Sequence, residues 1–305
     1  MSTILGQRAG FGVVQGIGAT DPERLVYDAR QAEALGFDMF CLADHLHGDR
    51  PTVEPWTALT WAAAATTTIE VMPNVLGLPY RAPAVTAKMA ETLDRLSAGR
   101  LVLGLGTGGY DAEFTAFGLA ERTPRQKVDA LAEALRIIKG LWSEPAFSYE
   151  GAHFSVRQAC VEPKPRHKIP VWLGSYGPRS LRLTGALADG WIPSLGRVGL
   201  DRLRAMRAEV REAAEAAGRD PDEITCAVNL VVTFDATTDE DASSAAASSG
   251  MVWRPVSGGS ETIAERLTEV AQAGFTFFNL IPNGPGCLER FAAEVMPVVR
   301  REAPL

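Results

Sequence analysis

The chain has 305 residues, of which 46% are apolar, so it is long enough to bury a large hydrophobic core. Lys and Arg together number 30 and Asp and Glu number 37, and the resulting net charge of −7 disfavours a protein whose main partner is nucleic acid. No apolar run approaches the roughly 18–20 residues that a membrane span needs, and the first ten residues do not resemble a signal peptide.

Short β-branched and apolar runs alternate with amphipathic stretches along the whole chain. The runs predict strands at Gly10–Gln15, Met39–Ala43, Thr68–Leu76, Leu101–Leu105, Val171–Leu173, Trp191–Pro193, Thr225–Phe234 and Phe277–Ile281. The amphipathic stretches predict helices, the first capped by Asp21 with Pro22 at its first position. The others are predicted at Trp56–Ala65, Ala84–Leu96, Pro124–Trp142, about Pro178–Ala188, Leu203–Ala217, Thr262–Ala273 and Leu288–Arg300.

Eight strands that alternate with helices favour a parallel sheet, and we predict an α/β fold of the (β/α)8 type, a TIM barrel. A doubly wound open sheet is the alternative that the same alternation allows. Two segments predict insertions into a single domain of residues 1–305. Residues 147–168, rich in Pro and aromatic side chains, predict a hairpin or loop before the fifth strand. Residues 235–259, rich in Ala, Ser and Gly, follow the seventh strand.

In such a barrel, chemistry lies where strands end and loops begin, and Asp44 and His45 directly follow the second predicted strand. An imidazole beside a carboxylate is suited to proton transfer, although a His at the rim can also simply fill a polar position. His47 makes a His-x-His pattern that could bind a metal. We do not favour a metal, because His153 and His167 fall in the first insertion and no Asp follows the eighth strand.

Three glycine-containing segments also follow predicted strands. Residues 104–109 match the spacing of a dinucleotide-binding loop, but that reading is disfavoured because the segment follows the fourth strand and no helix is predicted directly after Gly109. Its glycines would still let a flat or anionic ligand approach the backbone. Residues 174–178 place glycines and a proline at a helix start, which favours a phosphate site. At Asn74 the chain either ends a strand or forms a bulge or strained peptide.

These segments together resemble the luciferase-like flavin oxidoreductase superfamily, and more closely its deazaflavin-dependent branch, which includes methylenetetrahydromethanopterin reductase. The resemblance extends over essentially the whole chain. The residues that carry it are Gly36–Asp38, Ala43–His45, Arg81–Ala84, Gly99–Gly108, Gly174–Pro178 and Ala188–Trp191.

The resemblance implies a (β/α)8 barrel that binds the deazaflavin coenzyme F420, or FMN in the sister branch, across its mouth. Asp44 would contact the ring and His45 would handle a proton. Asn74 and Val75 match the position of a non-prolyl cis peptide behind the ring. Gly106, Thr107 and Gly108 would lie near the cofactor tail, whereas Gly174, Ser175, Tyr176 and Gly177 would form its phosphate cradle.

The implied reaction is hydride transfer between F420 and a small organic substrate, with His45 as acid or base and Asp44 orienting or binding the polar edge of the ring. An FMNH₂-dependent monooxygenase is the alternative, and a non-catalytic flavin-binding protein is a third possibility. The sugar-phosphate dehydrogenases of this branch carry a Glu where this chain has Gly109, and a Trp shortly after the His, so sugar-phosphate oxidation is not favoured. Glu113 or His47 could supply a proton instead. The substrate itself is not specified by any recognisable motif.

The resemblance also implies a homodimer. Trp56, Trp61 and the segment Ala62–Ala65 could belong to an interface or to the core, and we favour the core. Beyond a small-molecule substrate, neither nucleic acid nor membrane is expected as a partner. The four isolated cysteines argue against a disulfide framework or a zinc site and predict buried thiols in a reduced, cytoplasmic protein: Cys41, Cys160, Cys226 and Cys287.

Overall fold

The computed structural model describes residues 8–15, 20–46, 51–235 and 254–303. The β-strands in these residues are β1 (Gly10–Gln15), β2 (Met39–Leu42), β3 (Glu70–Pro73), β4 (Leu76–Gly77), β5 (Leu103–Gly106), β6 (Phe147–Glu150), β7 (Ser155–Ala159), β8 (Val171–Leu173), β9 (Gly190–Trp191), β10 (Thr225–Phe234), β11 (Val256–Gly258) and β12 (Phe277–Asn283). The α-helices are α1 (Pro22–Ala34), α2 (Pro55–Ala65), α3 (Pro83–Leu96), α4 (Asp111–Ala116), α5 (Pro124–Ser143), α6 (Pro178–Leu187), α7 (Leu200–Ala216), α8 (Ser260–Gln272), α9 (Cys287–Arg290) and α10 (Met296–Glu302).

The parallel strands close into a barrel. They hydrogen-bond in the order β3, β2, β1, β12, β10, β9, β8, β5 and β4. A parallel bridge links Val71 of β3 to Leu101, just before β5, and this bridge closes the ring. Since β3 and β4 are one barrel strand interrupted at Asn74 and Val75, the described residues form a ring of eight barrel strands. The predicted (β/α)8 barrel is therefore confirmed, and the open doubly wound sheet is wrong.

Alternation along the strands divides the buried side chains between two sides of the sheet. In β2, Met39 and Cys41 pack in one apolar group, whereas Phe40 and Leu42 pack in another. The smaller group also contains Trp172 and fills the inside of the barrel. The larger group lies between the strands and the surrounding helices. Burial on both sides explains why the strands appear in the sequence as continuous apolar runs.

Local signals fix several helix ends as predicted. The Asp21 side chain accepts a hydrogen bond from the Glu23 backbone N–H at 3.0 Å and caps α1, and Pro22 is the first helical residue. Gly36 follows this helix with a φ of +81°, a conformation that side chains disfavour. Asp21 therefore fixes where α1 begins, and Gly36 lets the chain turn from α1 toward β2.

Both predicted insertions contain β-strands in the residues that the structure describes. β6 and β7 pair antiparallel, so the predicted hairpin before the fifth barrel strand is confirmed. Residues 236–253 of the second insertion lie outside the described residues. Its last part includes β11, which pairs with the end of β10.

Several sequence predictions are corrected by the structure. The third strand is split at Asn74–Val75, the sixth begins at Gly190 rather than Trp191, and the last predicted helix is interrupted by a π-helical segment at Phe291–Val295. Helix α4 was not predicted, and it begins two residues after Gly109.

Burial also differs from two expectations. Trp56, Ala62 and Ala63 are buried as predicted, but Trp61 and Ala64 of the same segment are exposed and Ala65 is only partly buried. Cys160 is exposed, whereas the other three cysteines are buried, and all four are free thiols. In the parts of the chain that the structure describes, every helix is too short or too polar to cross a membrane.

Candidate active site

A hydrogen-bonded group of three side chains lies at the mouth of the barrel. His45, after β2, has its Nδ1 2.9 Å from Oε1 of Glu113, which lies in the first turn of α4. The Tyr80 hydroxyl donates to Oε2 of the same carboxylate at 2.6 Å. All three are only partly buried, and the Tyr110 ring stands edge-on to His45 with ring centroids 5.1 Å apart. This group combines a titratable imidazole with partial access to solvent, as an acid–base catalyst requires.

Asp44 lies next to His45 in sequence but has different partners. Its Oδ2 accepts from Arg81 Nη1 and from the Gly77 backbone N–H, both at 2.8 Å, and its Oδ1 accepts from Arg81 Nη2 at 3.2 Å. Arg81 also contacts Glu54, the N-cap of α2. The Asp44 side chain is fully buried. The expected Asp44–His45 pair is therefore not formed, and the partner of His45 is Glu113.

The ion pairs that Arg81 forms with Asp44 and Glu54 shift the pKa values of Arg81 and Glu54. Burial by itself would lower the pKa of Arg81, but hydrogen bonds and charge attraction from Asp44 and Glu54 outweigh burial and raise the pKa. Burial would likewise raise the pKa of Glu54, yet hydrogen bonds from Thr57, Arg81 and Trp56 lower it. Both groups are thus held in their charged forms. Sequence reasoning missed Arg81 as the partner of Asp44, because 37 residues separate them.

The floor of the mouth is formed by Val75 and two glycines. The peptide bond between Asn74 and Val75 is cis, as predicted. A Cβ added to Gly106 would lie 2.7 Å from Val75 Cγ2, and one added to Gly174 would lie 3.3 Å from it. The Val75 side chain therefore occupies the space that these glycines leave open, and the floor has no larger side chain at those two positions. Asn74 Nδ2 donates to Asn229 Oδ1 at 2.7 Å.

The segment after β8 leads into α6 and differs in part from its predicted role. Gly177 is the N-cap of α6, and no side chain caps the helix, so its first N–H groups remain available to an anion. The Ser175 hydroxyl instead lies 2.8 Å from the Thr184 hydroxyl. Tyr176 bonds to Ser194, and burial raises the pKa of Tyr176 despite this bond. The Arg197 guanidinium stacks 4.7 Å from the Tyr176 ring centroid and brings positive charge to the same edge.

The loop after β5 contains a glycine in the left-handed backbone conformation. Gly108 has a φ of +83°, and a Cβ there would lie 2.4 Å from the Phe114 ring. Thr107 is partly buried beside it. The helix that follows, α4, contradicts the expectation that no helix begins near Gly109. The dinucleotide reading is still disfavoured, because this loop belongs to the fourth barrel strand rather than to an opening βαβ unit.

The alternative of a metal site involved His47 together with other possible ligands. His47 lies outside the described residues. Within them, no group of three or more His, Cys, Asp or Glu side chains is placed to hold a metal ion. Tyr80, like Arg81, is a site residue whose role sequence reasoning missed, and its position just before Arg81 gave no local signal.

The residues at the mouth fit a flat ring with an anionic tail. Gly106 and Gly174 leave room for the partly buried Val75 side chain, and the start of α6 has no capping side chain on its first N–H groups. His45 lies on the opposite side of the mouth, on the loop after β2. These residues would suit a planar cofactor with an anionic tail, with an imidazole at the edge of its site.

Comparison with known proteins is consistent with this geometry. A family model described as luciferase-like monooxygenase matches residues 4–252. An F420-dependent glucose-6-phosphate dehydrogenase of Kineococcus radiotolerans is 31% identical over 92% of this chain and 94% of its own. A phthiodiolone/phenolphthiodiolone dimycocerosates ketoreductase of Mycobacterium tuberculosis is 34% identical over 66% of this chain and 59% of its own.

Solved structures share the fold at lower identity. An F420-dependent secondary alcohol dehydrogenase, in complex with an F420-acetone adduct, superposes with a TM-score of 0.85 at 20% identity, over 96% of this chain and 99% of its own. A long-chain alkane monooxygenase superposes with a TM-score of 0.82 at 15% identity, over 97% of this chain and 92% of its own. At these identities the two structures support the fold alone.

Proposed function

The chain belongs to the luciferase-like monooxygenase family, and we propose that it is an F420-dependent oxidoreductase that moves a hydride between the coenzyme and a small organic substrate. The observation that carries the proposal is the position of His45, which is paired with Glu113 beside the glycine-lined floor of the barrel mouth. The relatives that use F420 support this coenzyme rather than FMN.

Different residues at the mouth would hold the ring and the phosphate-bearing tail of the coenzyme. Val75, between Gly106 and Gly174, would support the face of the ring, with Asn74 fixed behind it by Asn229. Thr107 and Gly108 would lie beside the coenzyme tail. Gly174, Ser175, Tyr176 and Gly177 would receive its phosphate, Ser175 through its backbone because its hydroxyl is bonded to Thr184. When bound, the deazaflavin ring supplies the carbon that gives or takes the hydride.

His45 would manage the proton that accompanies the hydride. A neutral imidazole can accept the proton of a substrate hydroxyl, and a protonated one can return it to a carbonyl oxygen. Asp44 would act indirectly, because both of its oxygens are bonded to Arg81 or Gly77. We therefore propose that Asp44 fixes the loop that carries His45 rather than touching the reacting atoms.

Two measurements test the proposal. Absorbance titrations with F420 and with FMN should give the tighter binding for F420, and tight FMN binding without F420 binding would refute it. Turnover is then measured with oxidised F420 and propan-2-ol, cyclohexanol or glucose 6-phosphate. The His45→Ala variant should keep its F420 affinity and lose roughly 10²–10⁴-fold in turnover. Unchanged turnover in that variant would remove His45 from the mechanism.

An FMNH₂-dependent monooxygenase is the second candidate, and the family model with its luciferase-like monooxygenase description favours it. The barrel and the proton-handling residues would be shared, but oxygen would be consumed. An oxygen electrode distinguishes the two, since uptake that needs both FMNH₂ and an organic substrate supports the monooxygenase. A protein that binds either coenzyme but turns over nothing would instead be a flavin-binding protein.

A homodimer and a cytoplasmic location stay predictions. Exposed apolar side chains on α1, α2 and α3, among them Tyr27, Trp61 and Val85, are available for self-association. Light scattering after size exclusion should give twice the 32.7 kDa chain mass. A monomer at micromolar concentration would contradict the dimer.

A further inference from the structure

We propose that Glu113 and Tyr80 are positioning residues that hold the His45 imidazole in one tautomer, with Nδ1 protonated and Nε2 free for the substrate proton. This inference rests on the proposed function for its chemistry. The hydrogen bonds that it invokes can be measured without any coenzyme.

The tautomer follows from what each partner can donate. An ionised carboxylate only accepts hydrogen bonds, so the nitrogen facing Glu113 must carry the proton. That nitrogen is Nδ1, at 2.9 Å from Oε1. In a neutral imidazole the other nitrogen, Nε2, is then the acceptor. Glu113 therefore selects the form of His45 that can take up a proton.

Tyr80 occupies the second oxygen of Glu113. Its hydroxyl donates to Oε2 at 2.6 Å. Burial raises the pKa of Tyr80, and the hydrogen bond and charge of Glu113 raise it further, so the hydroxyl keeps the proton that it donates. A backbone hydrogen bond from Leu46, the residue after His45, also reaches Tyr80. The three side chains and this backbone segment thus form a closed loop of hydrogen bonds.

Packing fixes the same group of residues. The Tyr80 ring stands edge-on to Phe114, one residue after Glu113, with centroids 4.9 Å apart. Gly77 lies against Tyr80, where an added Cβ would be 3.0 Å from the ring. The carboxylate nearest in sequence, Asp44, is fully buried against Arg81 and does not compete for His45. Glu113 is therefore the carboxylate that the structure pairs with this imidazole.

The chemical role of the pair is to stabilise the charge that appears on His45. In the direction of alcohol oxidation, the hydroxyl O–H bond breaks and its proton goes to Nε2. The bound coenzyme would accept the carbinol hydrogen as a hydride, and the product would be a carbonyl compound. The imidazolium left behind would donate from Nδ1 to the Glu113 carboxylate, whose Oε1 lies 2.9 Å away. In the reverse direction the same proton returns to the carbonyl oxygen.

The test uses Glu113→Gln and Tyr80→Phe, with Glu121→Gln as the matched control. Glu121 is an exposed carboxylate just after α4 that bonds to Thr115 and not to His45. The first readout is the ¹⁵N spectrum of histidine-labelled full-length protein without coenzyme. The signals of His45, one of four histidines, are assigned by their loss in His45→Ala. Wild type and the control should show His45 protonated on Nδ1, and Glu113→Gln should show a mixture of tautomers.

The second readout is turnover with F420 and the best substrate of the alcohol panel. Glu113→Gln should lower kcat by about 10–100-fold and change KM less than about threefold, and Tyr80→Phe should cost about 3–10-fold in kcat. If Glu113 acts through His45, the double variant His45→Ala/Glu113→Gln should be no slower than His45→Ala alone. A merely structural role for Glu113 would give additive losses.

The outcomes separate this inference from the proposed function. An Nδ1-protonated His45 that is unchanged in Glu113→Gln overturns the inference, even if the enzyme turns over with F420. Additive losses in the double variant also overturn it. If wild type binds no F420 but the tautomer changes as expected in Glu113→Gln, the proposed function fails while the positioning role stands.

Discussion

Asp44 and Glu113 are carboxylates at the same barrel mouth, yet the fold gives them different tasks. Asp44 is fully buried, and its oxygens accept from a guanidinium and a backbone N–H. Glu113 is partly open to solvent and accepts from an imidazole and a phenol. The first arrangement fixes structure, whereas the second leaves an imidazole–carboxylate pair partly exposed at the mouth, where we propose that the substrate binds. Adjacency to His45 in the sequence therefore does not identify its working partner.

The difference has a simple geometric origin. Successive residues leaving a strand point to opposite sides, so Asp44 and His45 diverge at the end of β2. Asp44 turns toward β4 and the segment after it, which supply Gly77 and Arg81 respectively. His45 turns toward α4, which brings Glu113 back over the mouth. Each carboxylate is thus paired with a group that is distant in sequence.

The largest stability effect should come from Asp44→Asn. This change removes the charge of a fully buried carboxylate that holds the partly buried Arg81 through both oxygens, and breaking such a pair costs up to about 3–5 kcal/mol. Glu113→Gln, at the more open site, should cost less than about 1 kcal/mol. Urea unfolding of both variants measures the difference. Equal losses for the two variants would contradict the contrast between a structural and a working carboxylate.

The sequence predicted the barrel well because its strands are buried on both sides. Continuous apolar runs such as Leu101–Leu105 and Val171–Leu173 need no knowledge of distant contacts. Helix α4 escaped prediction because it has six residues and Tyr110, with no capping side chain, at its start. The site was predicted less completely, since the pairs Asp44–Arg81 and His45–Glu113 depend on how the loops fold back. Only the resemblance to a family pointed to the cis peptide at Asn74.

A medium effect should come from Gly106, which packs against Val75. Gly106→Ala would place a Cβ 2.7 Å from Val75 Cγ2, and such overpacking costs about 1–3 kcal/mol. The displaced Val75 would also disturb the surface proposed for the coenzyme ring, so F420 affinity should fall. Gly109→Ala is the control, because nothing lies within 4 Å of its added Cβ. In a Val75→Ala background, the cost of Gly106→Ala should shrink. An unchanged cost in that background would mean that Val75 is not the obstructing side chain.

The smallest effect concerns a third carboxylate, Glu33 on α1, which can be compared with Asp44. Glu33 accepts from the backbone N–H groups of Thr67, Thr68 and Ile69 through one oxygen. Burial alone would raise the pKa of Glu33, but these hydrogen bonds outweigh burial and lower the pKa to about 2 from its usual 4.5. After solvent screening, we expect Glu33→Gln to cost about 1–2 kcal/mol at neutral pH.

The pH dependence of that cost has a definite sign. A carboxyl group whose pKa is lowered in the folded state contributes stability above its unfolded pKa, and this contribution disappears as the pH falls through the folded value. The difference between wild type and Glu33→Gln should therefore be constant above about pH 4.5 and shrink as the pH falls from there toward 2. Denaturant unfolding from pH 7 to pH 3.5 measures it, with the exposed Glu23 of the same helix replaced by Gln as the control. A difference that grows on acidification would show that Glu33 is not held as a carboxylate by these backbone donors.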